Sequence, residues 1–288
     1  MTTFSNNQHA RALRFAALHR ASNAFVIPNP WDAGSARVLT SLGFEALATT
    51  SAGLAFALGR RDGEALLTRE DALANAAAIV EATDLPVSAD LEDGFGRAPE
   101  DVAETVRQAA AVGLVGCTIE DTTADPQRPI HDFKLSVERI AAAVGAARAL
   151  PFPFTLTARA ENFLFNRPDL DDTIRRLNIR AFDEAGADVL YAPGLPDLDA
   201  IRAVCAAVSK PVNVVVGLAG QRYSVAELAQ AGVKRISLGS TLSRVALGAL
   251  ARAAREIRDH GTFGFVDGAV SFADANTLMR PRLQADGH

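Results

Sequence analysis

The chain has 288 residues, 49% hydrophobic and 22% charged, which is enough apolar side chain for a sizeable core and gives no compositional sign of disorder. Its 29 basic and 34 acidic residues leave a formal charge of -5 at pH 7, so there is no electrostatic reason to approach nucleic acid or anionic lipid. Cys117 and Cys205 lie far apart without metal-ligand spacing, and residues 1–8 are polar with no apolar export signal, so a reducing, cytoplasmic setting is expected.

Residues 8–21 predict an amphipathic helix ahead of the first strand. From there a short β-rich apolar run alternates with a longer helical pattern along nearly the whole chain. The strand-like runs are Ala24–Pro28, Ala46–Thr50, Pro86–Glu92, Gly116–Asp121, Phe154–Ala160, Ala187–Ala192, Val212–Val216 and Arg235–Leu238. The helical patterns between them are Ala33–Leu42, Arg69–Ala82, Pro99–Ala111, Val137–Ala149, Leu170–Ala185, Asp197–Val208 and Val225–Ala231. Such alternation calls for parallel pairing, because parallel neighbours need a crossover and helices supply it. Gly113, Gly186 and Gly232 each follow an alanine at the end of a helix and precede a strand, which predicts a recurring left-handed cap.

Eight units predict an α/β fold closed into a (β/α)8 TIM-like barrel, of the roughly 250 residues usual for one. Miscounting one strand would leave an open, doubly wound sheet instead. No linker or low-complexity tract divides the chain, so residues 1–288 are expected to form one domain. Residues 243–288 form its C-terminal helical segment, with helices at Ser243–Arg258 and Phe272–Met279. Whether those helices pack on their own barrel or on a neighbouring subunit stays open at this level.

In such a barrel the chemistry sits at the C-terminal ends of the strands. The third run reads Pro86-Val-Ser-Ala-Asp-Leu-Glu-Asp-Gly-Phe-Gly96. On a continuous strand Asp90 and Glu92 would share one face, about 7 Å apart, and two inward acids repel unless a cation stands between them. The fourth run adds Glu120, on the face of Thr118, as a third carboxylate. Asp90, Glu92 and Glu120 are therefore the expected ligands of a hard cation, Mg²⁺ or Mn²⁺, with helix capping or a solvated loop as the alternative. Asp93 and Asp121 suit caps, and Cys117, of opposite parity, suits the core.

Other strand ends offer substrate contacts. Arg159, on the fifth strand, suits a substrate carboxylate held by two hydrogen bonds; a structural ion pair with Glu161 or Glu120 is the competing role. Thr50, Ser51 and Ala52, before Gly53, present hydroxyls and backbone amides to a second anion. The loop 54–67 is longer than a barrel needs and carries Asp62, placed to orient water at the ion. Asn213 on the seventh strand could touch substrate or satisfy a backbone group. His131, in the loop 122–132, could be an acid or base or merely a loop histidine.

These residues in this order resemble the isocitrate lyase and phosphoenolpyruvate mutase superfamily. The resemblance runs through Asn29-Pro-Trp-Asp-Ala-Gly-Ser-Ala36, Ser51-Ala-Gly53, Gly59 with Asp62, Asp90 with Glu92 and Gly94-Phe-Gly96, Ile119-Glu-Asp121, Ala158-Arg159 and Gly232-Val-Lys-Arg-Ile-Ser237. It implies a modified barrel with Mg²⁺ at Asp90, Glu92 and Glu120, and the substrate carboxylate on Thr50–Ala52 and Arg159. It also implies Asp62 assisting water at the ion, and tetramers that exchange the last barrel helix.

The chain departs from the pattern in the loop after the fourth strand. There the lyases carry a Lys-Lys/Arg-Cys-Gly-His stretch and this chain has no cysteine, so the proton donor is unassigned. The lysine and asparagine of the phosphonopyruvate branches are not clearly matched either. The expected function is a Mg²⁺-dependent lyase that breaks a C–C bond beside a 2-oxo acid, or decarboxylates one, through an enolate. The alternatives are a phosphonomutase or hydrolase and a barrel that binds a 2-oxo acid without turning it over. A small 2-oxo acid or dicarboxylate and further copies of the chain are the expected partners.

Overall fold

Each strand of the protein is followed by at least one helix, and the pairing is parallel throughout. The computed structural model describes residues 5–123, 125–178, 181–218 and 222–280. In chain order it holds α1 (Asn6–Arg20), β1 (Phe25–Ile27), α2 (Ala33–Ser41), β2 (Leu47–Ala48), α3 (Ser51–Ala57), α4 (Arg69–Ala82), β3 (Val87–Asp90), α5 (Pro99–Ala111), β4 (Gly116–Glu120) and α6 (Phe133–Arg148). There follow β5 (Thr155–Arg159), α7 (Leu170–Leu177), β6 (Val189–Tyr191), α8 (Leu198–Ala207), β7 (Val212–Val215), α9 (Val225–Gln230), β8 (Arg235–Ser237), α10 (Thr241–His260), a 3-10 turn at Gly264–Gly268 and α11 (Phe272–Leu278).

The sheet runs β1-β8-β7-β6-β5-β4-β3-β2. Its free edges meet where Ala48 N donates to Pro28 O at 3.1 Å. The eight strands therefore roll into a nearly closed (β/α)8 barrel and not an open doubly wound sheet. Register carries the inward residues around the ring: Asp90 stands opposite Thr118, Glu120 opposite Arg159, Arg159 opposite Tyr191, and Asn213 opposite Arg235. Strand residues of the other parity, such as Ile119, Leu156, Ala158 and Leu190, are fully buried against the helices. Cys117 is among them and burial pushes its thiol far up, which leaves it a core side chain.

Helix α1 seals the N-terminal end of the barrel. Phe15, fully buried, lies over Gly116 at the start of β4, where an added Cβ would stand 3.0 Å from its ring and 2.7 Å from Thr155 O. His19 stacks edge-on against Phe15 and Phe25. Gln8 Nε2 donates to Ala110 O and Leu114 O at 2.7 and 2.9 Å, which ties α1 to the turn between α5 and β4. Gly113 and Gly232 adopt φ of 95° and 96°, the left-handed caps expected after α5 and α9; Gly186 has the same φ of 96° but ends a turn and not a helix.

Three segments depart from the sequence pattern, the first being Ser51–Ala57, read as a turn and the start of a long loop, which forms α3. Helix α7 stops at Leu177 because Asn178 is extended (φ -71°, ψ -178°), and residues 181–186 turn back toward β6; Ile179 and Arg180, within the predicted helix, lie outside the described residues. Strand β3 ends at Asp90, two residues before the predicted end.

The seal made by α1 has a measurable consequence. Phe15→Ala should lower unfolding free energy by about 3–5 kcal/mol, read from urea denaturation; a loss below about 1 kcal/mol would mean that α1 is peripheral to the barrel.

Candidate active site

Two cavities open at the C-terminal face. The larger, about 950 Å³, lies off-axis beside the ends of α4, α5 and α6 and is lined by Glu92, Asp93, Arg97, His131 and Arg167 among others. The smaller, about 160 Å³, lies on the barrel axis, where Thr49–Ala52, Asp62, Asp90, Arg159, Tyr191, Asn213 and Arg235 converge. Size alone favours the first, but the buried polar groups point into the second. The second is therefore the candidate active site.

Asp90 closes β3 and is held on one side only. Its Oδ2 accepts from Ser51 N at 3.1 Å and Ser51 Oγ at 2.9 Å, and its backbone N donates to Thr49 Oγ1 at 3.0 Å. Its Oδ1 is buried without a hydrogen-bond partner, 3.7 Å from Arg159 Nη1. Arg159 lies between further acids: Nη1 is 3.0 Å from Glu120 Oε2, Nε donates to Glu161 Oε1, and the guanidinium stacks 5.1 Å from the Tyr191 ring centroid. Thr122 Oγ1 donates to Glu120 Oε1 at 2.7 Å. Burial opposes the charge of Arg159, but Glu120 and Glu161 more than offset it and hold the guanidinium firmly protonated.

The predicted metal ligands do not gather as a strand would place them. Because β3 ends at Asp90, Glu92 is not two residues along a strand; it takes a left-handed φ of 47° and stands in the wall between the two cavities, with Phe95 and Leu67. Burial, then the charges of Asp90, Asp62 and Asp93, push its carboxyl up to about 8. Asp62 is exposed at the rim, yet the walls around it withdraw enough water to raise its carboxyl, and Asp90 adds to the rise. Glu120 faces Arg159. Among the described residues, no three acid, histidine or cysteine side chains lie close enough to hold an ion by themselves.

The substrate-binding candidates divide in the same way. Thr50 Oγ1 caps α3 by accepting from Gly53 N at 3.2 Å. The backbone N–H and hydroxyl of Ser51 are committed to Asp90, whereas Thr50 and Ala52 line the cavity with no bond to that acid. Asn213 is buried, donating to Ser237 Oγ at 3.1 Å and accepting from Arg235 Nε at 2.8 Å. His131 lines the off-axis cavity instead. Burial and then the charges of Arg139 and Arg97 lower it to about 4, which keeps it neutral.

Asp121 is neither a helix cap nor solvated. Its Oδ1 accepts from Glu161 N at 2.9 Å, and its Oδ2 accepts from Arg176 Nη1 at 3.0 Å. Arg176 also donates to Asp172 Oδ2 at 2.8 Å and His131 O at 3.1 Å, tying the loops after β4 and β5 to α7. Asp93 closes a turn by accepting from Phe95 N at 2.8 Å.

Tyr191, Arg235, Ser237 and Asn29 had no site role in the sequence reading. For Arg235 and Ser237 the signal was available, since two polar residues at alternate positions of a short apolar strand must share a face. Asn29 fastens the seam: its Oδ1 accepts from Leu238 N and Gly239 N at 2.8 and 3.0 Å, and its Nδ2 donates to Thr49 O at 2.9 Å.

Comparison with known proteins shows the family and the fold. The family described as phosphoenolpyruvate phosphomutase matches residues 15–258. A crystal structure from Burkholderia cenocepacia J2315, provisionally described as a lyase/mutase, superposes with a TM-score of 0.92 at 58% identity, covering 95% of this chain and 96% of that one. The 2-methylisocitrate lyase of Shewanella oneidensis is 30% identical over 78% of this chain and 77% of its own length. The oxaloacetate decarboxylase of Chromohalobacter salexigens is 28% identical over 88% and 87%.

The raised carboxyl of Glu92 fixes the sign of a pH effect in protein stripped of divalent ions. The folded chain keeps this proton to about pH 8, while an unfolded glutamate releases it near 4.5. Stability contributed by the group is thus complete below the lower value and lost as pH rises through the upper one. Glu92→Gln, which cannot ionise, should gain stability relative to wild type across that window and level off above it. Urea unfolding in EDTA from pH 5 to 9 tests this, and a difference that stays flat or shrinks with pH would contradict it.

Proposed function

The chain belongs to the phosphoenolpyruvate phosphomutase family, and on that premise we propose that it is a Mg²⁺-dependent lyase that breaks a C–C bond beside the 2-oxo group of a small acid, or releases CO₂ from one. The observation that carries this reading is Asp90 Oδ1, a buried carboxylate oxygen that no hydrogen bond reaches and whose one ion-pair contact, Arg159 Nη1, stands off at 3.7 Å. Such an atom is costly unless a cation completes it. The donor set is carboxylate oxygen throughout, which suits Mg²⁺ or Mn²⁺. Asp90 would bind the ion directly; Glu92, Glu120 and Asp62 would reach it through the waters that Mg²⁺ keeps. When bound, the cation supplies a Lewis acid for the 2-oxo group.

The chain's own residues supply the rest. Ser51 fixes Asp90 through Oδ2 and so leaves Oδ1 for the ion. Ala52 N–H, in the first turn of α3, takes the substrate carboxylate, with Thr50 shaping that turn and Asn213 forming the floor beneath. Arg159, kept cationic by Glu120 and Glu161, faces the oxygen on which negative charge develops as the bond breaks. Asp62 orients water at the rim. No cysteine stands in the loop 122–132; on loss of CO₂ the electron pair of the broken bond stays on the enolate, and its carbon takes the proton from solvent water. The family description favours a second reading, transfer at a P–C bond.

Purified enzyme stripped with EDTA should regain turnover with Mg²⁺ or Mn²⁺ when offered oxaloacetate, 2-methylisocitrate and phosphonopyruvate in parallel. Asp90→Asn should lower kcat/KM by about 10³-fold or more without loss of fold. Turnover of phosphonopyruvate alone would reject the C–C reading in favour of the second, and turnover unaffected by EDTA would reject the role given to the ion.

The C-terminal segment supports a homo-oligomer. Val245 and Leu250 on α10 are 60% and 66% exposed, and Phe272 on α11 is 87% exposed, so apolar side chains stand in water on this face. Residues from 243 onward pack on, or exchange with, a second copy in this reading; residues 281–288 lie outside the described part. Among the described residues no helix is long and apolar enough to cross a membrane, which fits a cytoplasmic enzyme. Light scattering should give a dimer or tetramer, and Val245→Asp with Leu250→Asp should shift it toward monomer; a monomeric wild type would overturn the assignment.

A further inference from the structure

Within the barrel, β8 begins with a buried arginine. Arg235 is 3% exposed and lines the axial cavity. Its Nε donates to Asn213 Oδ1 at 2.8 Å, and its Nη1 is buried with no hydrogen-bond partner. Asn213 passes the chain of hydrogen bonds on to Ser237.

Among the described residues no carboxylate lies within ion-pair distance of this guanidinium. Asp90, in the wall of the same cavity, is paired with Arg159, and the ionisable neighbour that supports the charge of Arg235 is Tyr191, itself buried. Below it, His19 Nδ1 lies 2.8 Å from Phe15 O, and since a carbonyl only accepts, Nδ1 carries the proton. His19 Nε2 is therefore a neutral acceptor, also without a partner. It can take one hydrogen bond, but it brings no charge.

Buried charges in proteins are paired or meet an ion. The two guanidiniums of this cavity are in opposite conditions. Arg159 stands among three acids, whereas Arg235 has none, so an anion entering the cavity completes Arg235 and would only compete for Arg159. We propose that Arg235, positioned by Asn213, is the counter-ion for a second acidic group of the substrate, at the end remote from the 2-oxo carboxylate, so that the substrate is a short 2-oxo diacid. The cavity of about 160 Å³ keeps that diacid short. This rests on the reading above, that a 2-oxo acid binds at Asp90 and Ala52.

Calorimetric titration of Mg²⁺-loaded protein with oxalate, pyruvate and 3,3-difluorooxaloacetate tests it. Oxalate spans only the end near Asp90, pyruvate lacks the second acid, and the fluorinated diacid carries it. Wild type should bind the diacid at least about tenfold more tightly than pyruvate, and Arg235→Met should weaken the diacid by about 100-fold. Oxalate and pyruvate should change less than about threefold, and Arg235→Lys should fall between the two. Equal wild-type affinity for diacid and pyruvate overturns the proposal without any variant, which covers the case in which Arg235→Met fails to fold. Loss of oxalate and diacid binding together in a folded Arg235→Met also overturns it. Failure of wild type to bind oxalate overturns the underlying reading as well, so the two failures are separable.

Discussion

A single arginine organises the mouth of this barrel. Arg159 lies beside Asp90, Glu120 and Glu161, on or next to three neighbouring strand ends, and each acid is positioned by a different device: Ser51 for Asp90, Thr122 for Glu120, and the Asp121 side chain, through the backbone of Glu161, for the last. If all four groups ionise, one positive and three negative charges leave a net charge of -2. Burial of that excess is expensive. Protons can balance it, which is the direction in which burial drives Glu120 and Glu161; so can one divalent ion. Protonation and a bound divalent ion are thus alternative ways of meeting the same electrostatic balance.

The parts of the fold fixed by local rules could be read from the chain. Helices α4 and α5 begin and end where capping residues and periodicity place them, because Thr68 and Asp71 form a reciprocal cap and Pro99 sits in the first turn. The glycines after α5, after residues 181–185 and after α9 turn with the expected left-handed φ. The candidate site was less legible. Parity located Asp90, Glu120 and Arg159 because all three lie on continuous strand. It misplaced Glu92, since nothing in Leu91-Glu92 announces that pairing stops at Asp90 and the backbone then turns left-handed. The commitment of Ser51 to Asp90, and of Asp121 to Arg176, are contacts across 39 and 55 residues, and no local pattern carries such information.

The interior of the barrel is divided by height. Toward the N-terminal end it is closed by the edge-stacked rings of Phe15, His19 and Phe25. Above lie Asn213, Arg235, Ser237 and Tyr191, joined by hydrogen bonds, and above those the acids. A side chain's chemical role therefore follows from its place along its strand as much as from its type: Thr155, at the start of β5, lies by Phe15 and the seal, while Arg159, four residues on, belongs to the mouth.

The ring is fastened unevenly. Elsewhere neighbouring strands share a ladder, but β1 and β2 meet through the bond from Ala48 to Pro28, reinforced by Asn29, whose one amide reaches both the end of β8 and Thr49. Thr49 in turn accepts from the backbone of Asp90. The barrel thus has a zip, and the residue that fastens it is two bonds from Asp90, the acid proposed to hold the ion. Breathing at that zip would loosen the aperture and slacken the grip on Asp90 in the same movement, so the molecule's least-laced edge is also mechanically coupled to its candidate site.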